Sequence, residues 1–287
     1  MKNNTQISEN YWTEVILPHS SWFNLKLTEL WHYRDLIMLF VRRDIVAVYK
    51  QTILGPLWYI IQPILTTLVF TIVFGNIARL STDGLPPVLF YLAGVVGWQY
   101  FSNCIIKTSY TFINNAQIFG KVYFPRLTVP ISIVISSLLT FTIQFLLFLI
   151  FVFYYYLKGV DIKLTSAALM LPLLVLIMAL LGLGLGIIIS SLTTKYRDLQ
   201  FLVAFGVQLF MYATPIIWPI SSIPEKWKMF LIANPMAPII EAIRYGFLGS
   251  GSFTYCQLIY STIFSIVIFF IGVILFNKVE KNFMDTV

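Results

Sequence analysis

LTSAALMLPLLVLIMALLGLGLGIIISSLTT, residues 164–194, contains no Asp, Glu, Lys, Arg or His. As a helix, a run of this length crosses a hydrocarbon layer about 30 Å thick, for which roughly 20 apolar residues suffice. An extended chain in such a layer leaves its amides without partners, so a helix is the expected form. Working outward, the same absence of charge holds for Leu57 to Ala78, Val88 to Ile106, Leu127 to Leu157, Leu199 to Pro224 and Tyr245 to Asn277. Six such runs predict an all-α polytopic membrane protein whose six-span transmembrane domain occupies residues 54–277.

Composition agrees: 59% of residues are hydrophobic and 11% are charged, against roughly 25% charged in an ordinary soluble domain. A polar minority of that size does not cover a water-facing surface. Charges at Glu9, Glu14, Lys26, Glu29 and Arg34 leave no apolar core for a secretory signal at the start, so residues 1–53 are expected to remain cytoplasmic. Cys104 and Cys256 lie in or beside apolar runs without metal-ligand spacing and read as packed free thiols. His19 and His32 have no carboxylate or Cys companions in the sequence.

Basic residues set the orientation. Thirteen of the nineteen lie in residues 1–53, in the second-to-third connection (Lys107, Lys121, Arg126), at Lys195 and Arg197, or in the tail 278–287. Arg79, Lys158, Lys163, Lys226, Lys228 and Arg244 fall on the opposite face. This bias predicts both termini in the cytoplasm. The net charge of +7 then needs only anionic lipid as its neighbour, and no nucleic acid.

Phe23 to Val41 breaks the spanning pattern. Leu27, Leu30, Trp31, Ile37, Met38 and Val41 recur at near-helical spacing, while Lys26, Glu29, Arg34 and Asp35 interrupt any span. The segment reads as an amphipathic interface helix that rests on lipid or on a partner. Within the fourth run, Pro172 suggests a bend, and Gly182, Gly184 and Gly186 form a small-residue face for close helix approach. From 215 to 251 the chain holds five prolines and the apolar run Met229 to Ile240, too short to cross. An outer re-entrant hairpin between spans five and six is expected there. Glu241 and Arg244, three residues apart, share a helical face, as a plain ion pair or as part of a lid over a pore.

Chemistry of several kinds is missing. Ion-coupled carriers place ionisable groups inside their spans, and membrane transferases gather carboxylates or metal ligands at a reaction centre; the runs and the scattered acids offer neither. Gly120-Lys121 is followed by Val122, with Asn115 where a phosphate loop needs its first glycine. The chain is thus expected to be no enzyme, with no cofactor of its own.

Tyr33, Arg34, Asp35, Leu36, Arg43, Asp44, Tyr49, Lys50, Gln51, Thr52, Leu54, Gly55, Trp58 and Pro63 resemble, in type and order, the amino-terminal segment of permeases of the polysaccharide and polyol-phosphate export family of ABC transporters. Lys121, Phe124, Pro125, Arg126 and Pro130, then Tyr196-Arg197-Asp198, Asn234-Pro235 with Arg244, and Glu280, Phe283 and Asp285 continue that resemblance along nearly the whole chain.

The resemblance implies a homodimeric permease in a bacterial inner membrane. Two separate ABC ATPase subunits would bind ATP and Mg. Coupling to them is implied for the interface helix, with Arg34, Asp35, Arg43 and Asp44, and for a coupling helix at about 110–120, with Asn114, Asn115 and Gln117. The implied substrate is a lipid-linked glycan, O-antigen-like first, with teichoic acid or capsule as alternatives. A passive pore, a membrane scaffold and an exporter of a small hydrophobic compound are the other readings. Arg42 and Lys50, with Tyr49 and Gln51 beside them, are candidates for a pyrophosphate entrance. Trp58, Tyr59, Trp98, Tyr100, Phe101, Phe210, Tyr212 and Trp218 are candidate channel aromatics for sugar C–H faces. Pro215, Asn234, Pro235, Glu241 and Arg244 complete a candidate outer gate.

Overall fold

Uncharged runs become long helices wherever nothing interrupts them. The computed structural model describes residues 27–50, 54–196 and 198–286, and among them all regular structure is helical. Phe23, Lys26, Gln51, Thr52 and Arg197 lie outside the described residues, as do the side chains of Tyr49, Glu280, Phe283 and Asp285.

Helix α1 (Leu27–His32) and helix α2 (Arg34–Lys50) cover the described part of the segment read as an amphipathic helix, with a break at Tyr33. The pair runs nine residues beyond the expected end at Val41. Leu30, Phe40 and Val41 are buried, whereas Trp31, Met38 and Leu39 are exposed, so the apolar stripe is split between the bundle and the outside. A tight turn at Gly55–Leu57 leads into α3 (Trp58–Phe70), which continues through π-turns at Thr71–Ile77. Next come α4 (Pro87–Ser109), the short α5 (Thr111–Phe119), α6 (Thr128–Leu157) and α7 (Leu171–Thr193). α8 (Leu199–Tyr212), α9 (Glu225–Ile232), α10 (Ala237–Leu248) and α11 (Tyr255–Thr286) complete the order.

Five helices are long and apolar enough to cross a membrane: Gly55–Ile77, Pro87–Ser109, Thr128–Leu157, Ser166–Thr193 and Tyr255–Val279. The fifth uncharged run does not form such a helix. α8 has 14 residues, about 21 Å at 1.5 Å per residue, and ends three residues before Pro215. Thr214, Pro215, Ile216 and Ile217 follow and are buried, so protein covers this uncharged stretch. The sixth run is also divided, because Gly249 at φ 74° ends α10 in a left-handed turn and the helix restarts only at Tyr255. Nor does Pro172 bend a span: it occupies the first turn of α7, after a tight turn at Ser166–Met170, where no intrahelical amide bond is lost.

α4 is the centre of the bundle, packed on α3, α6, α7, α8 and α10, with α11 closing against α7. The glycines of α7 permit this by serving two neighbours. A Cβ on Gly182 would lie 2.6 Å from the Cys104 Cβ and one on Gly186 2.6 Å from the Thr108 Cβ, both on α4. A Cβ on Gly184, on the other side, would lie 2.8 Å from the backbone nitrogen of Phe269 on α11. Positions four apart share a face and the one between them points away, so a single small-residue string seats two helices.

Candidate functional site

Two functional candidates occupy opposite ends of the bundle. At one end, α5 realises the helix expected at 110–120. It is wedged against its neighbours: the Tyr110 hydroxyl donates to the Gln200 carbonyl at 3.3 Å, and the Phe112 amide reaches Ser190 Oγ at 3.5 Å. Asn114 and Gln117 are exposed, while Asn115 is buried and its Nδ2 donates to the Thr111 carbonyl at 2.9 Å. Asn114 and Gln117 therefore face outward, and Asn115 serves the helix itself.

An aromatic series ties α5 to both α2 and α11. Phe40 and Phe124 have ring centroids 5.8 Å apart, Phe124 and Phe119 5.7 Å, Phe119 and Phe112 5.9 Å, and Phe112 stacks on Phe276 at 4.5 Å. Arg43 and Arg126 sit over the rings of Phe40 and Phe119. Sequence reading missed Phe40, Phe112, Phe119 and Phe276, since phenylalanines in an apolar chain carry no distinguishing pattern. A double-mutant cycle of Phe112→Leu and Phe276→Leu, read by thermal unfolding, is expected to give a coupling of about 0.5–1.5 kcal/mol; additivity would show that the stack carries no load.

On α2, Arg43 Nη2 pairs with Asp44 Oδ1 at 2.9 Å and Arg34 with Asp35 at 3.9 Å. Both are pairs between sequence neighbours with substantial exposure, a kind that adds little stability. Arg42 and Lys50 are exposed.

At the other end, every residue of α10 except Tyr245 is buried. Arg244, 1% exposed, donates from Nη1 to the Pro215 carbonyl at 2.6 Å and to Glu241 Oε1 at 3.0 Å. Its Nη2 donates to the Ile216 carbonyl at 2.8 Å, and the guanidinium lies 3.6 Å above the Phe90 ring. Glu241 Oε2 accepts from the Ser252 amide at 2.9 Å. Asn234 adds a second clasp: Nδ2 donates to the Ala213 carbonyl at 3.1 Å and to Thr214 Oγ1 at 2.9 Å, and Oδ1 accepts from the Met236 amide at 2.9 Å. Ser261 of α11 donates to the Pro235 carbonyl at 2.8 Å. The expected Glu241–Arg244 pair forms, and Pro215, Asn234 and Pro235 gather around it. Phe90 and Gly94 of α4 went unanticipated; a Cβ on Gly94 would meet Arg244 Nη2 at 3.0 Å, so a glycine one turn after Phe90 makes room for the guanidinium.

The candidate channel aromatics divide. Trp98, Tyr100 and Phe101 are buried; Trp98 packs on Phe101 and Phe210, and Tyr100 on Phe141. Within the chain these are packing residues. Trp58 and Tyr212 are exposed and Tyr59 and Trp218 half-buried, so these retain free ring surface.

The family model described as "ABC-2 type transporter" covers residues 35–248. The chain belongs to the ABC-2 type transporter family. An O-antigen export system permease protein, RfbA, of Klebsiella pneumoniae is 30% identical over 252 residues, 88% of this chain and 94% of the relative. RfbA of Myxococcus xanthus is 26% identical over 75% of this chain and 81% of its own length. The polysialic acid transport protein KpsM of Escherichia coli is 23% identical over 85% of this chain and 93% of its own. As an ABC-2 permease, the chain is the membrane component of a transporter that works with ABC ATPase partners. The matched residues begin at Asp35 in α2 and end at Leu248 in α10, so both ends of the bundle fall within the family pattern.

Proposed function

We propose that two copies of this chain form the permease of an ATP-driven exporter that carries a lipid-linked, O-antigen-like glycan outward across a bacterial inner membrane. The similarity to O-antigen export permeases, 30% identity over 88% of the chain, carries this reading. The more distant polysialic acid relative, at 23%, makes capsule export the second choice. The five long helices hold no Asp, Glu, Lys, Arg or His between their end turns, so no ion relay drives transport and the energy comes from hydrolysis of Mg-bound ATP by the partner subunits.

In this reading α8 is the short fifth of six passes and residues 215–251 form the re-entrant hairpin, which α8 and α11 flank. The α5 end faces the cytoplasm, in line with the distribution of basic residues. Burial of Arg244 removes one of the six opposing charges from the count. α5, α2 and the exposed Asn114 and Gln117 meet the ATPase; Arg42 and Lys50 stand at the substrate entrance.

Purifying the tagged chain gently from native membranes is expected to recover an ATPase with a phosphate-loop motif, and deleting the chain to trap lipid-linked glycan inside the cell. Asn114→Pro supplies the sharper test, because it removes an α5 amide that donates to the Tyr110 carbonyl at 2.9 Å. This variant is expected to retain assembly and ATP hydrolysis while export falls about tenfold or more. Wild-type export from Asn114→Pro would remove α5 from the coupling role, and normal surface glycan in the deletion strain would end the export reading.

A further inference from the structure

A cavity of about 650 Å³ lies between the end of α8, α9 and the loop joining α3 to α4, outside the Arg244 clasp. Arg79, Ser81, Tyr212, Trp218, Ser222 and Trp227 line it. The loop is pinned in place: Ser221 Oγ donates to Asp83 Oδ1 at 2.6 Å, and Ser250 Oγ to the Asp83 carbonyl at 3.3 Å. Arg79 and Asp83 have φ of 50° and 52°, a left-handed conformation that residues with a Cβ hold only where surrounding structure enforces it. Arg79 lies two residues after the π-turns of Thr71–Ile77 and lines the cavity.

Three properties of the lining select a ligand class. Tyr212, Trp227 and Phe230 are exposed, and the rings of Trp227 and Phe230 lie 6.0 Å apart at 44°, so flat apolar faces meet at an angle. Between them stand hydrogen-bonding groups with capacity to spare. Ser81 Oγ accepts from the Asp83 amide and keeps its O–H to donate, while Ser222 Oγ donates to the Pro219 carbonyl and keeps lone pairs to accept. A hydrocarbon ligand would strand these groups, and the Arg79 cation opposes the quaternary ammonium ligands that aromatic cages otherwise attract. A ring with apolar C–H faces and a rim of hydroxyls satisfies all three, and the volume falls in the range of about 300–1,000 Å³ typical of small-molecule sites.

We infer that this cavity is a carbohydrate-binding vestibule, in which sugar units of the exported glycan stack on Trp227 and Tyr212 and hydrogen-bond to Arg79, Ser81 and Ser222. The inference rests on the proposed export function and adds to it a site on the exit face, at the end opposite α5. Arg79 favours sugars that carry carboxylate or phosphate groups.

The test uses the full chain in lipid nanodiscs, titrated with delipidated polysaccharide released from the source organism's envelope and read by intrinsic fluorescence. Trp227→Ala and Arg79→Gln are each expected to weaken binding about tenfold, with the folded yield unchanged because both side chains are exposed. Equal binding by wild type and both variants overturns the vestibule. So does quenching of Trp227 by brominated acyl chains without any response to polysaccharide, which makes α9 a bilayer anchor. Absence of binding to wild type, in a strain where wild type restores surface polysaccharide, overturns the vestibule and leaves the export reading standing. Surface polysaccharide that never depended on this chain removes both.

Discussion

Arg244→Met is expected to destabilise the α10 end of the bundle by about 3–5 kcal/mol, the usual cost of breaking a buried ion pair from one side. The substitution conserves much of the side-chain volume but leaves Glu241, itself 0% exposed, with its carboxylate buried and its cation gone. The carbonyls of Pro215 and Ile216, which accept from the guanidinium at 2.6 and 2.8 Å, lose their donors as well. Thermal unfolding of the purified permease, followed by size exclusion, measures the loss. The double variant Glu241→Leu with Arg244→Met separates charge from packing. It is expected to recover part of the stability, since no charge is then left buried. A double variant no better than Arg244→Met alone would place the whole effect in the lost carbonyl contacts.

Gly184→Leu is expected to be the most disruptive substitution in the long helices. Even its Cβ would stand 2.8 Å from the Phe269 nitrogen and 2.9 Å from the Phe269 Cα, and backbone atoms of α11 do not rotate away as a side-chain tip does. Overpacking a tight core costs about 1–3 kcal/mol; here two helices must also part along their length, so a folded yield near zero is expected. Gly206→Leu is the control. A Cβ on Gly206 of α8 would have no neighbour within 4 Å, and the replacement is expected to leave the protomer's unfolding temperature unchanged. Equal tolerance at both positions would show that the α7–α11 contact is looser than its glycines require.

The clasp and the glycine contact also show which features were legible in the chain. Charge-free runs identified α3, α4, α6, α7 and α11, because a membrane demands helices and helices of that length demand apolar residues throughout. The family resemblance, and not any local pattern, pointed to a short helix at about 110–120, and α5, Thr111–Phe119, lies inside those bounds. Spacing alone paired Glu241 with Arg244, as residues three apart on a helix are neighbours.

Other features depended on contacts between distant segments. Leu199 to Pro224 and Tyr245 to Asn277 are as free of charge as the runs that form one unbroken helix, since protein and lipid select the same apolar side chains. Only the tertiary arrangement showed that residues 214–217 are covered by protein. Asn114, Asn115 and Gln117 are alike in polarity, and the rotation of α5 decided which of them faces outward. The partners of Arg244 at Phe90, Pro215 and Ile216 lie 154, 29 and 28 residues away in sequence, and two of those contacts are made through backbone carbonyls alone, which every residue possesses. The sequence by itself determined the solvent this chain lives in and the helices that solvent requires. Tertiary structure decided which apolar residues are buried and which exposed, which polar residues are enclosed, and where the two ends of the bundle place their charges, because those depend on distances between segments that no local pattern encodes.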